Sequence, residues 1–309
     1  MATVYTQASS NIRRTWFLIS LIFVLIIGIF WVFSYVYNNP VILWAGVLIS
    51  MAMNIASYWY SDKIVLAISK AKPVAERESP ELYRVVENLA ITAGLPTPKI
   101  YIIDDAAPNA FATGRDPKHA VVCVTRGLLE RLDRTELEGV IAHELSHIGN
   151  RDMLISTVVV VFAGMIAIVS DIFLRMTWFG GLRSRDNDNR ASAIVMAVAM
   201  VGAILAPIAA TLIRLAVSRR REYLADESGV LLTRYPEGLI NALRKIAADP
   251  RPLAEATNAT AHLFFENPFK IDTKDPRKTP WVIKLFMTHP PIENRIKALQ
   301  GLNTRDGLQ

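Results

Sequence analysis

The amino-acid sequence predicts a mainly helical α+β protein, in which a small mixed sheet is combined with four candidate transmembrane helices. Hydrophobic residues make up 52% of the 309-residue chain, which is high for a soluble protein. Most of this excess lies in four long apolar blocks. Between the two pairs of blocks, short apolar runs predict strands, and the pattern His143-Glu144-Leu145-Ser146-His147 follows a signal for the start of a helix.

The first pair of blocks, Thr15–Tyr37 and Val41–Tyr60, predicts a hairpin of transmembrane helices. Neither block contains a charged residue, and each is long enough to cross about 30 Å of hydrocarbon as a helix. Tryptophan and tyrosine side chains lie near the ends of both blocks, as they do at membrane interfaces. The first block is longer than the apolar stretch of a signal peptide and a second block follows closely, so we expect a helical hairpin anchor.

The second pair of blocks, Leu154–Leu174 and Ala191–Val217, is joined by a polar turn. Asp171 and Arg214 lie near the ends of these blocks, where charged groups can reach the membrane interface. A functional charge inside the membrane is the alternative. With this pair, the chain has four candidate spans.

A mixed sheet is predicted between the two pairs of spans, because turn residues separate short apolar runs. The expected elements are a helix at Pro80–Ala93 and strands at Lys99–Ile103, Ala110–Ala112 and Ala120–Val124. Cys123, the single cysteine, lies in the last strand and excludes an intramolecular disulfide. We interpret it as a buried apolar residue rather than a nucleophile, since no motif supplies the histidine that a reactive thiol needs.

The two histidines of the central pattern are expected on one face of an amphipathic helix. Thr135-Glu136-Leu137-Glu138 forms a capping box, and apolar residues recur at helical spacing after it. Side chains four residues apart on a helix are neighbours, so His143 and His147 can bind one zinc ion through their imidazole nitrogens. Glu144 is the candidate general base for a water molecule. A surface helix with two solvated histidines is the alternative.

A catalytic zinc site needs a third protein ligand, and Glu222 is the candidate. Asp226 lies one helical turn later and can accept the free N–H of a ligating histidine. Two solvated acids after an arginine run are the alternative. The remaining expected elements are a helix ending at Leu232, a helix at Pro236–Ala248, a surface loop at Phe264–Pro280 and a last helix from Pro290-Pro291 to Leu299.

Four segments occur in the same order as in a known family. Along the chain they are Pro108–Gly114, the His-Glu-Leu-Ser-His helix, Glu222–Asp226 and Thr288–Ile296. With them the chain resembles the HtpX branch of the membrane zinc endopeptidases related to the CaaX-processing Ste24 enzymes. The resemblance implies a gluzincin-like zinc protease domain with one Zn2+ per chain, held by His143, His147 and Glu222. It also permits a catalytic role for His289, which could stabilise the oxyanion; a structural role is the alternative.

The resemblance further implies where a substrate would bind. In this class of zinc peptidases a small mixed sheet lies beside the metal-binding helix, and its exposed edge strand would hold the substrate backbone by strand addition. Asn109, Ala110, Phe111 and Ala112 are the candidate edge. An ordinary turn and strand is the alternative for these residues.

The assignments divide the chain into a transmembrane hairpin at 1–60, a first part of the protease domain at 61–153, a second hairpin at 154–217 and a second protease part at 218–309. Because His147 precedes the second hairpin and Glu222 follows it, that hairpin must enter and leave on the same side. Nine basic residues lie near the membrane on this catalytic side and four on the opposite side, which predicts a cytoplasmic catalytic domain. The nine are Arg13, Arg14, Lys63, Lys70, Lys72, Arg151, Arg219, Arg220 and Arg221, and the four are Arg175, Arg183, Arg185 and Arg190.

The sequence therefore predicts a multi-pass zinc endopeptidase of a bacterial inner membrane that cleaves membrane or misfolded proteins at the cytoplasmic face, beside other quality-control proteases. Its partners would be protein substrates and the lipid bilayer. No nucleic acid is expected, since the basic excess lies at the membrane boundary without an aromatic-basic array. Two alternatives stay open. One is a prenyl-protein (CaaX-type) processing endopeptidase, which the small number of spans disfavours. The other is a non-catalytic membrane scaffold with a structural zinc site, which retention of Glu144 disfavours.

Overall fold

The computed structural model describes residues 4–36, 38–160, 162, 219–254, 256, 260, 263–266, 268 and 290–306. The predicted α+β class is confirmed, with helices around one small sheet. The helices are α1 (Val4–Val36), α2 (Pro40–Trp59), α3 (Ser61–Ile68), α4 (Pro80–Thr92), α5 (Arg126–Arg131), α6 (Arg134–Gly149), α7 (Arg219–Thr233), α8 (Pro236–Ala248) and α9 (Ile292–Asp306). The strands are β1 (Lys72–Pro73), β2 (Lys99–Ile103), β3 (Ala110–Thr113) and β4 (Val121–Thr125). A further helical stretch covers residues 152–160.

Helices α1 and α2 form the predicted N-terminal hairpin. By length and composition, the stretches Ser9–Val32 and Pro40–Trp59 could cross a membrane, and only 22% and 17% of their most apolar windows are buried. Asn39 caps α2 by accepting a hydrogen bond from the Val41 N–H. The core helix of a soluble protein would be mostly buried, so this hairpin leaves apolar surface that suits lipid.

The second predicted pair of spans lies mostly outside the described residues. Of the block Leu154–Leu174, residues 154–160 and 162 are described and helical, and Leu154 and Val158 pack against Leu18 of α1. The block Ala191–Val217 lies wholly outside. The part of the chain that the structure describes thus contains two candidate spans, and the predicted number of four is not confirmed.

The sheet is mixed, as predicted, with the strand order β1-β2-β4-β3. Strands β2 and β4 are parallel, whereas β1 pairs with β2 and β3 pairs with β4 in antiparallel orientation. Strand β2 has the predicted bounds, and β3 and β4 differ from theirs by one residue at their ends. Every side chain of β3 and β4 is buried. Cys123 is among them, so its interpretation as a buried apolar residue is confirmed.

Three elements, α3, β1 and α5, are not predicted from the sequence. With eight, two and six residues, these elements are shorter than the windows in which a hydrophobic period can be recognised. Helix α1 begins at Val4, well before the predicted Thr15. Polar residues such as Asn11 continue the helix beyond its apolar stretch, which the hydropathy pattern alone could not show.

Helix α6 lies at the centre of the soluble part, in contact with α4, α7, α8 and β3. Its N-cap is Asp133, whose side chain accepts the Glu136 N–H, while the Glu136 carboxylate accepts the Asp133 N–H. The capping box predicted two residues later, at Thr135, is therefore wrong. Both residue types suit an N-cap, and in the fold the Thr135 hydroxyl donates to the Asp133 carboxylate instead.

Candidate metal centre

Helix α6 carries three of the predicted site residues, His143, Glu144 and His147. His143 and Glu144 are buried, and the His147 side chain is 16% exposed. Their spacing on the helix places the two imidazole rings with centroids 4.7 Å apart. The alternative of two solvated histidines on a surface helix is therefore wrong.

Helix α7 brings Glu222 and Asp226 against α6. A Cβ at Gly229 would lie 3.0 Å from the His143 backbone nitrogen, so the missing side chain allows the two helices to approach closely. Asp226 and Glu222 lie about one and two turns before Gly229, on the same face of α7. Both acids are buried, which excludes the reading of two solvated acids.

The donor atoms of the three predicted ligands converge. The Nε2 atoms of His143 and His147 are 3.1 Å apart. Glu222 Oε2 lies 3.8 Å from His143 Nε2, and its Oε1 lies 3.7 Å from His147 Nε2. Tetrahedral ligands at about 2.0–2.1 Å from zinc would be roughly 3.3 Å apart. This donor set fits a divalent ion such as zinc, and among the described residues it is the group with donor atoms within 4.8 Å of one another.

Asp226 orients His143 through Nδ1, the ring nitrogen that faces away from the other candidate ligands. Its Oδ1 lies 2.8 Å from His143 Nδ1, so Nδ1–H donates to the carboxylate and the lone pair of Nε2 faces Glu222. Arg295 of α9 donates to both Asp226 oxygens, from Nε at 2.8 Å and from Nη2 at 2.6 Å. Arg295 is fully buried, with its guanidinium carbon 4.6 Å from the centre of the Phe265 ring. The carboxylate is therefore fixed from both sides.

Asp152 has the corresponding place behind His147, with Oδ2 at 3.4 Å from His147 Nδ1. The chain turns sharply after α6, because Arg151 adopts a φ of 55° in the left-handed region where glycine is usual. This turn brings the buried Asp152 back toward His147. Asn11 of α1 donates to Asp152 Oδ1 at 2.5 Å, and Arg221 Nε lies 3.7 Å from the same oxygen.

The surroundings shift the pKa values of the two histidines in opposite directions in the metal-free protein. Burial lowers the pKa of His143 to about 4, although Asp226 opposes this effect. Burial also acts on His147, but the carboxylates of Asp152, Glu222 and Glu144 outweigh it and raise the pKa of His147 to about 9. Burial works against the ionised form of Asp226, yet Arg295 and His143 hold its pKa below the usual value. His143 is thus neutral, as a metal ligand must be.

Cys123 lies close enough to Glu144 for their charges to interact. Burial, and then the Glu144 carboxylate, raise the pKa of the Cys123 thiol well above its usual value. Because the thiolate is the nucleophilic form, this environment argues against a catalytic cysteine.

The predicted substrate edge is at the edge of the sheet but is not open along its whole length. Asn109 is buried directly before β3, and Ala110, Phe111 and Ala112 are buried within it. The Phe265 N–H donates to the Ala110 carbonyl at 2.8 Å. The Asn109 side chain also exchanges hydrogen bonds with the backbone of Glu266. The carbonyl of Ala110, the first residue of this edge strand, is therefore already hydrogen-bonded to Phe265 of the same chain. Strand addition by a substrate is a proposal for the positions after Ala110.

His289 lies outside the described residues. The predicted surface loop at Phe264–Pro280 is wrong at its beginning, because Phe264 and Phe265 are fully buried and the Phe265 ring lies 4.9 Å from the His143 ring. Most of the rest of that loop is outside the described residues.

Four residues around the centre are missing from the sequence-based site: Asn11, Asp152, Arg295 and Phe265. Arg295 belongs to the Thr288–Ile296 segment that contributed to the family resemblance, so its position was signalled but its role was not. Asp152 is an acid just before a long apolar block, where a buried charge needs a partner. Asn11 and Phe265 carry no local signal, because their contacts join distant parts of the chain.

Comparisons with known proteins support one family. The model described as "Peptidase family M48" matches residues 76–303. "Protease HtpX homolog" of Caldanaerobacter subterraneus subsp. tengcongensis is 43% identical, over 97% of this chain and 98% of that protein. The proteins of the same name from Dictyoglomus turgidum and Thermococcus sibiricus are 45% and 46% identical, over 98% and 95% of this chain and 96% and 98% of theirs. A crystal structure of S. mikatae Ste24p aligns with 93% of this chain and 66% of its own at 20% identity and a TM-score of 0.49, a likeness that carries no functional conclusion.

Proposed function

Because the chain belongs to peptidase family M48, we propose that this metalloprotease is a membrane-anchored zinc endopeptidase, which hydrolyses membrane or misfolded proteins at the cytoplasmic face of the cell membrane. The observation that carries the proposal is the convergence of His143, His147 and Glu222 around one position, with Glu144 on the same helix. Two imidazoles, one carboxylate and an adjacent glutamate are the groups that zinc-dependent peptide hydrolysis requires.

His143, His147 and Glu222 would hold the ion and leave one position open, as in catalytic zinc sites. When bound, zinc polarises the scissile carbonyl and lowers the pKa of the attacking water. The Glu144 carboxylate would accept a proton from the attacking water as the water oxygen bonds to the carbonyl carbon, and would pass it to the leaving nitrogen as the C–N bond breaks. Asp226 and Asp152 would keep the two imidazoles turned toward the position of the ion, and the Phe265 ring packs against His143.

The proposed substrates and location rest on the family resemblance and on the charge distribution of the sequence. Nine basic residues against four favour a cytoplasmic protease domain. A protease at that face would meet unfolded segments of membrane proteins as well as misfolded soluble proteins. Cooperation with other membrane quality-control proteases belongs to the same proposal.

The proposal is tested on detergent-purified protein by metal analysis and casein hydrolysis. Wild type should contain one zinc per chain and cleave casein. Glu144→Gln should keep the zinc but lose roughly 10²- to 10⁴-fold in rate, as expected for removal of a general base. Glu222→Ala should lose zinc and activity together. Its matched control is Glu227→Ala on the exposed side of the same helix, which should change neither.

Other outcomes would support the alternatives. Stoichiometric zinc in wild type without hydrolysis of casein or any unfolded protein would indicate a structural zinc site in a scaffold. Cleavage of a prenylated peptide in strong preference to casein would indicate prenyl-protein processing. Glu144→Gln turnover within about tenfold of wild type would refute the role of Glu144 as the base.

A further inference from the structure

A polar side chain of the first membrane helix reaches the metal centre. Asn11 lies near the start of α1 and is only 3% exposed. Its amide nitrogen donates both hydrogens to the segment that follows α6, to Asp152 Oδ1 at 2.5 Å and to the Asn150 carbonyl at 3.0 Å. The Thr15 hydroxyl closes the next turn of α1 by donating to the Asn11 carbonyl at 2.9 Å.

The position of this amide calls for an explanation. Burying an amide is unfavourable by about 1–3 kcal/mol unless it is hydrogen-bonded, and membrane helices pack adequately through apolar side chains. Such packing exists here, because Leu18, Ile19 and Ile22 of α1 belong to the same buried apolar cluster as Leu154 and Val158. Apolar side chains therefore already hold α1 against residues 152–160, and this packing does not explain why a polar side chain is buried at Asn11.

The partner of the Asn11 amide is Asp152, the residue that lies behind His147. Asp152 uses one carboxylate oxygen toward Asn11 and the other toward His147 Nδ1. At 3.4 Å the second contact is long, so the direction of the carboxylate depends on what else holds it. Arg221 Nε lies 3.7 Å from the carboxylate oxygen that accepts the Asn11 hydrogen bond. The much shorter contact with Asn11 therefore helps to fix the direction of the carboxylate.

We propose that Asn11 is a positioning residue of the metal centre, which holds Asp152 against His147 and makes metal binding depend on docking of the first membrane helix. The residues that orient ligating histidines affect metal affinity by about 10- to 100-fold. The centre is complete only when α1 lies against the segment after α6, so a chain whose anchor is not yet in place would bind metal weakly. This inference rests on the zinc site proposed above and adds a dependence on the anchor.

The test measures metal affinity in the full-length protein rather than activity alone. Zinc dissociation constants are obtained by competition with a chelating dye, and the visible spectrum of the Co2+-substituted protein reports the ligand geometry. Asn11→Asp is nearly isosteric but places a second carboxylate opposite Asp152. It should raise the zinc dissociation constant roughly tenfold, at the low end of the usual range, and should change the Co2+ spectrum. Asn11→Leu should do the same by removing the donor.

Leu18→Ala is the matched control, since it removes part of one apolar side chain from the same cluster while α1 stays docked and the amide stays in place. It should lower the melting temperature while zinc affinity and the Co2+ spectrum stay as in wild type. In an Asp152→Asn background, Asn11→Asp should change zinc affinity by less than about twofold, because its effect passes through Asp152.

Three results would overturn the proposal. Wild-type affinity and spectrum in Asn11→Asp would show that the amide does not act on the centre. An undiminished effect in the Asp152→Asn background would show that Asn11 acts by another route. Failure of wild type itself to bind zinc would instead remove the proposed metal function, and this inference with it.

Discussion

Asp226 lies between two buried groups, the imidazole of His143 and the guanidinium of Arg295, and is in hydrogen-bond distance of both. A carboxylate between a neutral imidazole and a buried cation is ionised, and its pKa is accordingly below the usual value. The same residue therefore orients one ligand of the proposed metal site and contributes to the stability of the fold. Glu222, in contrast, faces the two imidazoles across the candidate metal site.

Replacement of Asp226 should consequently affect two measurements. Asp226→Ala leaves the fully buried Arg295 without its partner, and removal of one member of a buried ion pair typically destabilises a protein by about 3–5 kcal/mol. It should also weaken zinc binding by about 10- to 100-fold, because His143 loses the acceptor of its Nδ1–H. Thermal unfolding of the metal-free protein and chelator competition measure the two effects. A variant with wild-type stability but weak zinc binding would contradict the structural half of this prediction.

At the scale of elements, the centre depends on close approach of helices to α6. Gly229 of α7 faces the His143 backbone, and a Cβ at Gly238 at the start of α8 would lie 2.5 Å from the Thr135 carbonyl oxygen. The missing side chains set the distance between backbones, and this distance decides whether the carboxylates of α7 reach the imidazoles of α6.

Gly229→Ala should therefore destabilise the protein although alanine favours helices. The new Cβ would meet the backbone of Ala142 and His143 at 3.0–3.3 Å, so α7 must move away, and such overpacking typically costs about 1–3 kcal/mol. Zinc affinity should fall as Glu222 is displaced. Gly301→Ala in α9 is the control, because no atom lies within 4 Å of its Cβ; it should stabilise by about 0.5–1 kcal/mol. Equal effects of the two substitutions would refute the close-approach argument.

The start of α6 allows a prediction about pH. Asp133→Ala should destabilise the protein by about 0.5–2 kcal/mol, whereas Thr135→Ala, which removes only a supporting hydroxyl, should have a smaller effect. Hydrogen bonds from Glu136 and Thr135 lower the pKa of Asp133. The contribution of this cap is therefore fully present above the usual aspartate pKa of about 3.9 and is lost as the pH falls through the lowered value of the folded state. Thermal unfolding of wild type and both variants from neutral to acidic pH tests this prediction: the stability gap between wild type and Asp133→Ala should shrink as the pH falls.

At the scale of the whole molecule, the protease part contacts the start of α1 and the end of α2, which are the two ends of the hairpin away from its turn. Asn11 near the start of α1 binds Asp152. Near the end of α2, the Arg115 guanidinium carbon lies 4.8 Å from the centre of the Trp59 ring. The turn at Asn38-Asn39 connects the opposite ends of the two helices, so it should lie across the membrane from the protease part.

Cysteine labelling in intact cells tests this arrangement. A membrane-impermeant maleimide should react with a cysteine introduced at Asn39 and should not react with one at Lys118. The buried Cys123 makes wild type the unlabelled control. Labelling at Lys118 would place the protease outside the cell. A further cysteine at Arg183, outside the described residues, should also react. Failure there alone would indicate that residues 154–217 do not span the bilayer, and it would not affect the proposal of a zinc site.

The sequence by itself determined the features that depend on local geometry. The shared face of His143 and His147 follows from the period of a helix, the apolar stretch of α1 and the whole of α2 have the length that a bilayer span needs, and β2 and α8 have the predicted bounds. Only the tertiary structure decided which polar groups support the centre. Asn11 meets Asp152 across 141 positions of sequence, and Arg295 meets Asp226 across 69. Such contacts form because burial requires a partner for each polar group, and the folded chain, rather than any local pattern, decides which partner is within reach.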